Sequence, residues 1–416
     1  MKIFKFGGAS IKDTAGVKNL VRVLNQVGYQ NVLIVISAMG KMTNAFEKIA
    51  DAYFYKKEEL PLLIKEVRDY HYSIANELFK NRNHTVFSEI EMLFIRMSGF
   101  MIQNKSTDRN FVYDQIVSVA ELISTKIVSN YLNELQIENT WVDVRELIKT
   151  NSDYRDAKVN WQLTEQIIAK KINPKKLYVT QGFISQDSYG NTTTLGREGS
   201  DYTAGIFAYC LNAKSLTIWK DVDGVLNADP RYFKKTQLLE QISYTEAIEL
   251  AFYGASVIHP KTLQPLQKKE IPLYVKSFFN PKNKGTYVSR GKHIVPEIPC
   301  FIVKKNQLLL SISSIDFSFV VEQNISEIFG LLHLYKIKVN LIQNSAISFS
   351  ICMEDNYNMF QELLTELSNK YKVVYLKGVS LYTIRHFNEE AIKEMELNNK
   401  VLLKQSTKET TQIVVQ

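Results

Sequence analysis

A chain of 416 residues, 45% of them hydrophobic, is long enough for a substantial core and two or three domains, and its 51 Lys+Arg against 43 Asp+Glu leave a net charge of +8. The basic excess is mild and spread along the chain, so it suits small anionic substrates and gives no indication of nucleic acid. Three scattered cysteines suggest neither a disulfide framework nor a zinc site, the six histidines show no metal-ligand pairing, and no apolar run approaches the ~20 residues that span a bilayer, so a cytoplasmic protein without a membrane partner is expected.

Residues 1–6 read as a strand, Gly7 and Gly8 as a tight turn, and Val17, Leu20, Val21 and Leu24 recur at helical spacing until Gly28 ends the pattern. Residues 31–37 form a second apolar strand. This order starts an α/β unit with a parallel sheet, in which ligands bind beyond the carboxyl ends of the strands. Residues 44–135 are mostly helical, and Ile116, Val119, Ala120, Ile123 and Ile127 make one apolar face around Glu121. Strand patterns return at 140–144, 176–184 and 215–219, with a turn at 186–191 and a helix at 202–211. Residues 290–299, with a glycine, two prolines and little periodicity, are the linker candidate. Beyond it, 308–313, 323–335, 338–343, 346–353, 357–370 and 371–376 spell βαββαβ. A second copy begins at 379–385, runs through a helix at 388–397 and strands at 400–405 and 411–415, and stops before its last helix and strand. A sheet edge left open in that way is expected to be covered by a second subunit.

Lys5, Gly7, Gly8 and Ser10 lie where a strand gives way to a turn and helix. A glycine turn admits backbone N–H groups to phosphate oxygens, and a lysine neutralises charge on a phosphoryl group in flight. A glycine pair that only turns the chain is the commoner case, and the stretch lacks the glycine-lysine-serine/threonine ending of a Walker A loop. Residues 192–201, TTTLGREGSD, put hydroxyls, two glycines, Arg197 and Asp201 at the start of a helix. A helix N-terminus and a guanidinium suit a carboxylate and Asp201 suits an ammonium, so the stretch reads as a site for a small zwitterion. Capping by Ser200 and Asp201 is the plainer alternative, but it leaves an arginine between two glycines unexplained. In residues 218–231, IWKDVDGVLNADPR, Asp221 at a strand end and Arg231 suit a nucleotide, its magnesium or its phosphates; they equally suit ordinary turns, and spacing does not separate the two.

Taken together, KFGGAS at the N-terminus, AELIS at 120–124, residues 182–204, residues 218–231 and YGASVIHPKTLQPLQKKEIPLYVKS at 253–277 resemble the aspartate kinases, in order and over the whole catalytic part. The resemblance implies an amino acid kinase fold over residues 1–290, α/β with a parallel-rich sheet sandwiched by helices. A linker at 291–304 would lead to an α+β ACT-type βαββαβ region, with a first ACT domain at 305–378 and a partial second unit at 379–416. It implies transfer of the ATP γ-phosphate to the β-carboxylate of L-aspartate, giving 4-phospho-L-aspartate at the head of the route to lysine, threonine and methionine, with Mg2+ carried on the nucleotide. By position, Lys5 would act on the transferring phosphoryl group, Arg197 on the substrate α-carboxylate, and Asp201 and Glu121 on its ammonium. Ser37 and Thr43 would make further substrate contacts, while Gly7, Gly8, Ser10, Asp221 and Arg231 would serve the nucleotide. A homodimer through the ACT domains and an amino acid effector complete what the resemblance implies.

The chain also departs from that family. Ser256 stands where a phosphate-facing lysine is usual, and Lys220 where threonine is usual, so Lys220, or with less support Lys261, is the candidate replacement cation and a catalytic residue. Glu198 replaces the usual glycine and Ala9 the usual threonine. In the ACT region, 321–325 has no glycine where effector pockets commonly have one, and Lys338, Asn340, Asn344 and Ser345 would line that pocket. Two competing readings follow: a kinase of another acidic amino acid or a carbamate, and an amino acid sensor with little catalysis.

Overall fold

Strands β1 (Lys2–Phe6) and β2 (Val32–Ile36) are buried on both faces, as strands of a parallel sheet covered by helices must be. Helix α1 (Thr14–Val27) joins them in the computed structural model, which describes every residue except 256, 257, 292, 293, 317 and 398. Asp13 caps α1 by accepting from the Gly16 N–H, and Gly28, at φ +82°, ends it; Val17, Leu20, Val23 and Leu24 fill the core between.

The predicted helical stretch resolves into α2 (Met42–Tyr55), α3 (Leu60–Leu78), α4 (Thr85–Gln103) and α5 (Arg109–Glu134). Of these α5 is buried almost all round, so its few polar side chains are enclosed. There follow β3 (Thr140–Val142), α6 (Trp161–Lys171) and β4 (Tyr178–Gln181). The expected strand 176–184 breaks at Gly182 and Phe183, the latter at φ +71°, and β5 (Ile184–Gln186) and β6 (Thr192–Thr194) form a separate hairpin. Next come α7 (Gly199–Cys210), β7 (Leu216–Lys220), β8 (Gln241–Ser243), α8 (Tyr244–Tyr253), α9 (Pro260–Lys268), β9 (Leu273–Ser277), β10 (Thr286–Ser289) and β11 (Ile294–Val295). The nine-stranded sheet runs β11-β8-β10-β9-β7-β1-β2-β4-β3, parallel from β9 through β3. The carboxyl ends of β1, β2, β4 and β7 therefore open side by side.

The chain divides into Met1–Val225, Leu238–Ile248 and Val257–Val295 as one unit, and Leu226–Gln237, Glu249–Ser256 and Pro296–Gln416 as the other. The main division falls inside the expected 291–304 linker, but 226–237 and 249–256, expected in the catalytic domain, belong to the second unit. Nor is 291–304 irregular throughout, since it holds β11 and the start of β12 (Cys300–Ser314).

The second unit continues with α10 (Glu322–Leu334), β13 (Lys338–Asn344), β14 (Ser348–Glu354), α11 (Phe360–Ser368), β15 (Tyr371–Arg385), α12 (Glu389–Glu396), β16 (Val401–Ser406) and β17 (Thr410–Val415). These make one antiparallel sheet of six strands, ordered β13-β14-β12-β15-β17-β16. The two strands read at 371–376 and 379–385 are the two halves of β15. The second copy does not lack its last strand: Cys300–Lys304 pairs with Leu381–Arg385 and supplies it, so the edge expected to be open there is closed from within the chain. Phe233, from the 226–237 segment, packs with Phe301 and Tyr382 into the small core that Ala391 and Met395 of α12 also enter.

Candidate active site

A cavity of about 490 Å3 opens in the first unit, and Lys5, Ser37, Thr43, Glu121, Arg197, Asp201 and Lys220 all line it. These residues come from six separate places in the sequence. Lys5 stands near the end of β1, Ser37 just past β2, Thr43 on the first turn of α2, Glu121 on α5, Asp201 in the first turn of α7, and Lys220 at the end of β7.

The innermost contact is an ion pair. Lys5 Nζ lies 2.6 Å from Asp201 Oδ1, and Lys220 Nζ lies 3.9 Å from Asp201 Oδ2. Burial alone would raise the Asp201 carboxyl, but the charges of Lys5 and Lys220 and the Lys5 hydrogen bond outweigh it and hold it below the usual carboxylate range. Asp201 is thus engaged by Lys5, where the sequence assigns it the substrate ammonium. Glu121 differs. Only 2% exposed, it accepts from the Ala38 N–H, and its Oε2 has no hydrogen-bond partner among the described residues. Burial pushes its carboxyl up to about 8, against the lowering effects of the Ala38 N–H and Lys5.

The loop before α7 has the backbone that its composition hints at. Gly196 sits at φ +76° and Glu198 at φ +53°, both in the left-handed region that favours glycine. Hence glycine is usual at 198 in the resembling family, and here a glutamate takes the same strained conformation. Glu198 has its carboxyl raised by burial and by the charge of Asp201, opposed by Lys220, Arg197 and Lys5. Capping by Ser200 does not occur: α7 starts at Gly199 after an N-cap without a side-chain bond, and Ser200 packs against Gly182, where a Cβ would fall 2.5 Å from the serine Cβ.

Gly7, Gly8 and Ser10 adjoin the cavity rather than line it. The Ser10 N–H closes the turn on Gly7 O, and a Cβ at Gly8 would stand 2.6 Å from Ala38 O, so only glycine lets the β1 and β2 turns meet. Asp221 is exposed just beyond β7. Arg231 is exposed in the second unit and clasps Asp229 through Nε at 3.0 Å and Nη2 at 2.5 Å. Lys261 pairs with Asp156, whereas Lys220, the other candidate cation, lines the cavity. His259 is the N-cap of α9, accepting from the Lys261 N–H at 3.2 Å. Ser256 lies outside the described residues.

Sequence reasoning missed Tyr113, Arg155, Phe183 and Thr194, which also line the cavity. The available signal was Asp114, seven residues and two turns before Glu121 on α5 and equally improbable in an apolar helix. Asp114 is fully buried and accepts from the Thr194 N–H and Oγ1, both at 2.8 Å, and from the Arg155 N–H at 3.1 Å. Burial pushes its carboxyl up to about 6 despite those bonds.

In the second unit, Asn340 accepts from Lys304 Nζ and donates to Gln307 Oε1, both at 2.7 Å. Its amide therefore turns into the sheet. Ser345 Oγ bonds Ser348, and at 321–325 the Asn324 side chain accepts from the Val321 N–H at 3.0 Å.

The Amino acid kinase family model matches residues 1–277. Lysine-sensitive aspartokinase 3 of Escherichia coli (strain K12) is 30% identical over 393 residues, 92% of this chain and 86% of that protein. Aspartokinase 1, chloroplastic, of Arabidopsis thaliana is 29% identical over 88% of this chain, which spans 65% of that longer protein. The E. coli aspartokinase III structure with lysine and aspartate superposes with a TM-score of 0.84 at 28% identity, and that with aspartate and ADP with 0.82 at 27%; each comparison covers 100% of this chain and 96% of the other.

Glu121 generates a pH prediction. Its folded-state carboxyl, at about 8, lies above the ordinary 4.5, so the folded state holds this proton more tightly than the unfolded one. The stability contributed is complete below about pH 4.5 and is lost as pH rises toward 8. The thermal midpoint of the ligand-free protein should therefore fall between pH 5 and 8 more steeply in wild type than in Glu121→Gln; equal slopes would show that Glu121 is not held neutral.

Proposed function

Because the chain belongs to the aspartokinases of the amino acid kinase family, we infer that it is an aspartate kinase, moving the γ-phosphate of ATP to the β-carboxylate of L-aspartate and giving 4-phospho-L-aspartate. The observation that carries this reading from fold to chemistry is the buried Lys5–Asp201 pair with Lys220 3.9 Å behind it, at the ends of neighbouring strands. The product stands at the head of lysine, threonine and methionine synthesis.

The proposed mechanism needs no covalent nucleophile on the protein. The substrate β-carboxylate attacks the γ-phosphorus in line, the bond to the ADP oxygen breaks, and the protein supplies position and charge. Lys5, oriented by Asp201, and Lys220 neutralise the phosphoryl oxygens. Arg197 holds the α-carboxylate, and Glu121 takes the ammonium, whose arrival favours the charged form of a carboxyl that burial otherwise keeps neutral. Ser37 and Thr43 offer hydroxyls to the substrate. Gly7, Gly8, Ser10 and Asp221 keep the proposed nucleotide role. Mg2+ would enter on the nucleotide phosphates, where it would add charge neutralisation.

The second unit is proposed to take an amino acid effector and to form the homodimer contact. Its exposed apolar side chains support the latter: Ile315, Phe319 and Leu334 are each about two-thirds exposed. A cytoplasmic setting is proposed because three cysteines scattered along the chain suggest no disulfide framework.

ATP, hydroxylamine and L-aspartate should give aspartyl hydroxamate, whereas L-glutamate should not; no product with either would favour the sensor reading. Lys220→Met should lower kcat by about 100-fold, the loss typical of removing one preorganised charge donor, and wild-type turnover would remove Lys220 from the mechanism. Light scattering at micromolar concentration should return twice the chain mass, and a monomer would overturn the dimer.

A further inference from the structure

Arg155 enters the cavity from a loop that no motif marks. Its backbone is at φ +71°, a conformation costly for any residue with a Cβ. The N–H donates to the fully buried Asp114, the guanidinium carbon lies 4.0 Å over the Tyr113 ring, and Nη2 meets Glu47 Oε1 at 3.2 Å. The loop abuts the one that carries Arg197: the Ala157 N–H donates to Thr194 O, and a Cβ at Gly196 would lie 3.2 Å from Arg155 O. Two guanidiniums thus rise into one cavity from touching backbones.

The charges in the cavity give Arg155 a task. Lys5 and Lys220 are gathered around Asp201, at the phosphoryl end. Arg155 has its contacts with Tyr113 and Glu47 instead, and its ion pair with Glu47 is roughly half exposed, hence weak and exchangeable. Asp114 meanwhile holds both the Arg155 backbone and Thr194, so the side chain approaches the cavity from a fixed base.

We propose that Arg155 is a substrate-binding and specificity-determining residue, a second guanidinium that closes on the aspartate α-carboxylate opposite Arg197. The proposal rests on the aspartate kinase reading. A carboxylate has four lone-pair positions and takes two forked donors, so the second fork sharpens selection for a free α-carboxylate over a neutral α-amide at the same atom.

The test is equilibrium binding and steady-state kinetics of wild type, Arg155→Gly and Arg155→Lys with L-aspartate and with its α-amide. Glycine suits φ +71°, so the variant should fold with an unchanged or higher thermal midpoint. The Kd and KM for L-aspartate should rise about tenfold or more in Arg155→Gly, with Arg155→Lys between it and wild type. KM for ATP should stay within about twofold, kcat should fall by less than KM rises, and α-amide binding should change little. An aspartate Kd within twofold of wild type, or equal losses for aspartate, α-amide and ATP, would overturn the proposal. Aspartate binding without turnover in wild type would fail the kinase reading while leaving this inference to be decided by the Kd values.

Discussion

The Lys5–Asp201 ion pair is the constraint on which the site depends. Both side chains are at least nine-tenths buried, and removing two charges from water costs several kcal/mol for each ion, so the pair is tolerable only with close geometry and additional compensation. Lys220 provides part of that compensation from the neighbouring strand. The same contact ties the first turn of α7 to the end of β1, and the fit is tight elsewhere on that turn: Ser200 fills the space that a side chain at Gly182 would need, and Thr203 Oγ1 accepts from the Phe183 N–H. The loop holding Gly196, Arg197 and Glu198 hangs from this anchored turn, so the position of the Arg197 guanidinium follows from an interaction it takes no part in.

Charge balance in the ligand-free cavity follows from burial. Asp201 remains a carboxylate because two lysines face it; Glu121, with one backbone donor and a more distant Lys5, does not. One acid is therefore committed to Lys5, and burial holds the other toward its neutral form. Glu198 lies between these cases, raised by burial and Asp201 but drawn down by Lys220 and Arg197. Its carboxylate and the Arg155 guanidinium are both attached at left-handed backbone positions. Glu198 and Arg155 thus both stand where the backbone would prefer glycine, which is strain of the kind that collects at binding sites.

Much of this was legible from the sequence because the signals were local. The apolar strands, the Gly28 stop, the long helical stretch and the strand segments read beyond residue 307 follow from periodicity and turn residues within windows of a dozen residues. Lys5, Arg197, Asp201 and Glu121 were legible because motifs or an acid on an apolar helix marked them. Arg155 was not, since its placement comes from a backbone angle and from Asp114, forty-one residues away in the chain. Ser200 was misread for a similar reason: a serine beside a helix start suggests a cap, and only the packing against Gly182 shows another use. The strand at 300–304 looked like linker because its partner, β15, lies some eighty residues onward.

That strand explains how an incomplete repeat becomes a complete sheet. β12 and β15 are each 15 residues long and pair along their length, one half serving each βαββαβ unit, with a register slip between Lys304 and Gln307 and Gly378 at φ +73° where β15 passes from one unit to the other. Nothing crowds Gly378, so the backbone angle rather than packing calls for glycine there. The slip needs its own stabilisation, because it leaves a lysine partly enclosed: burial lowers the Lys304 amine to about 8, and Asn340 with Gln307 supplies the bonds that keep it in place. An amino acid approaching Asn340 thus meets an amide already committed to the junction of the two repeats. Binding there must either accept Lys304 as part of the recognition surface or break the network at the register slip, and in both cases the ligand acts on the strand that joins the two halves of the sheet.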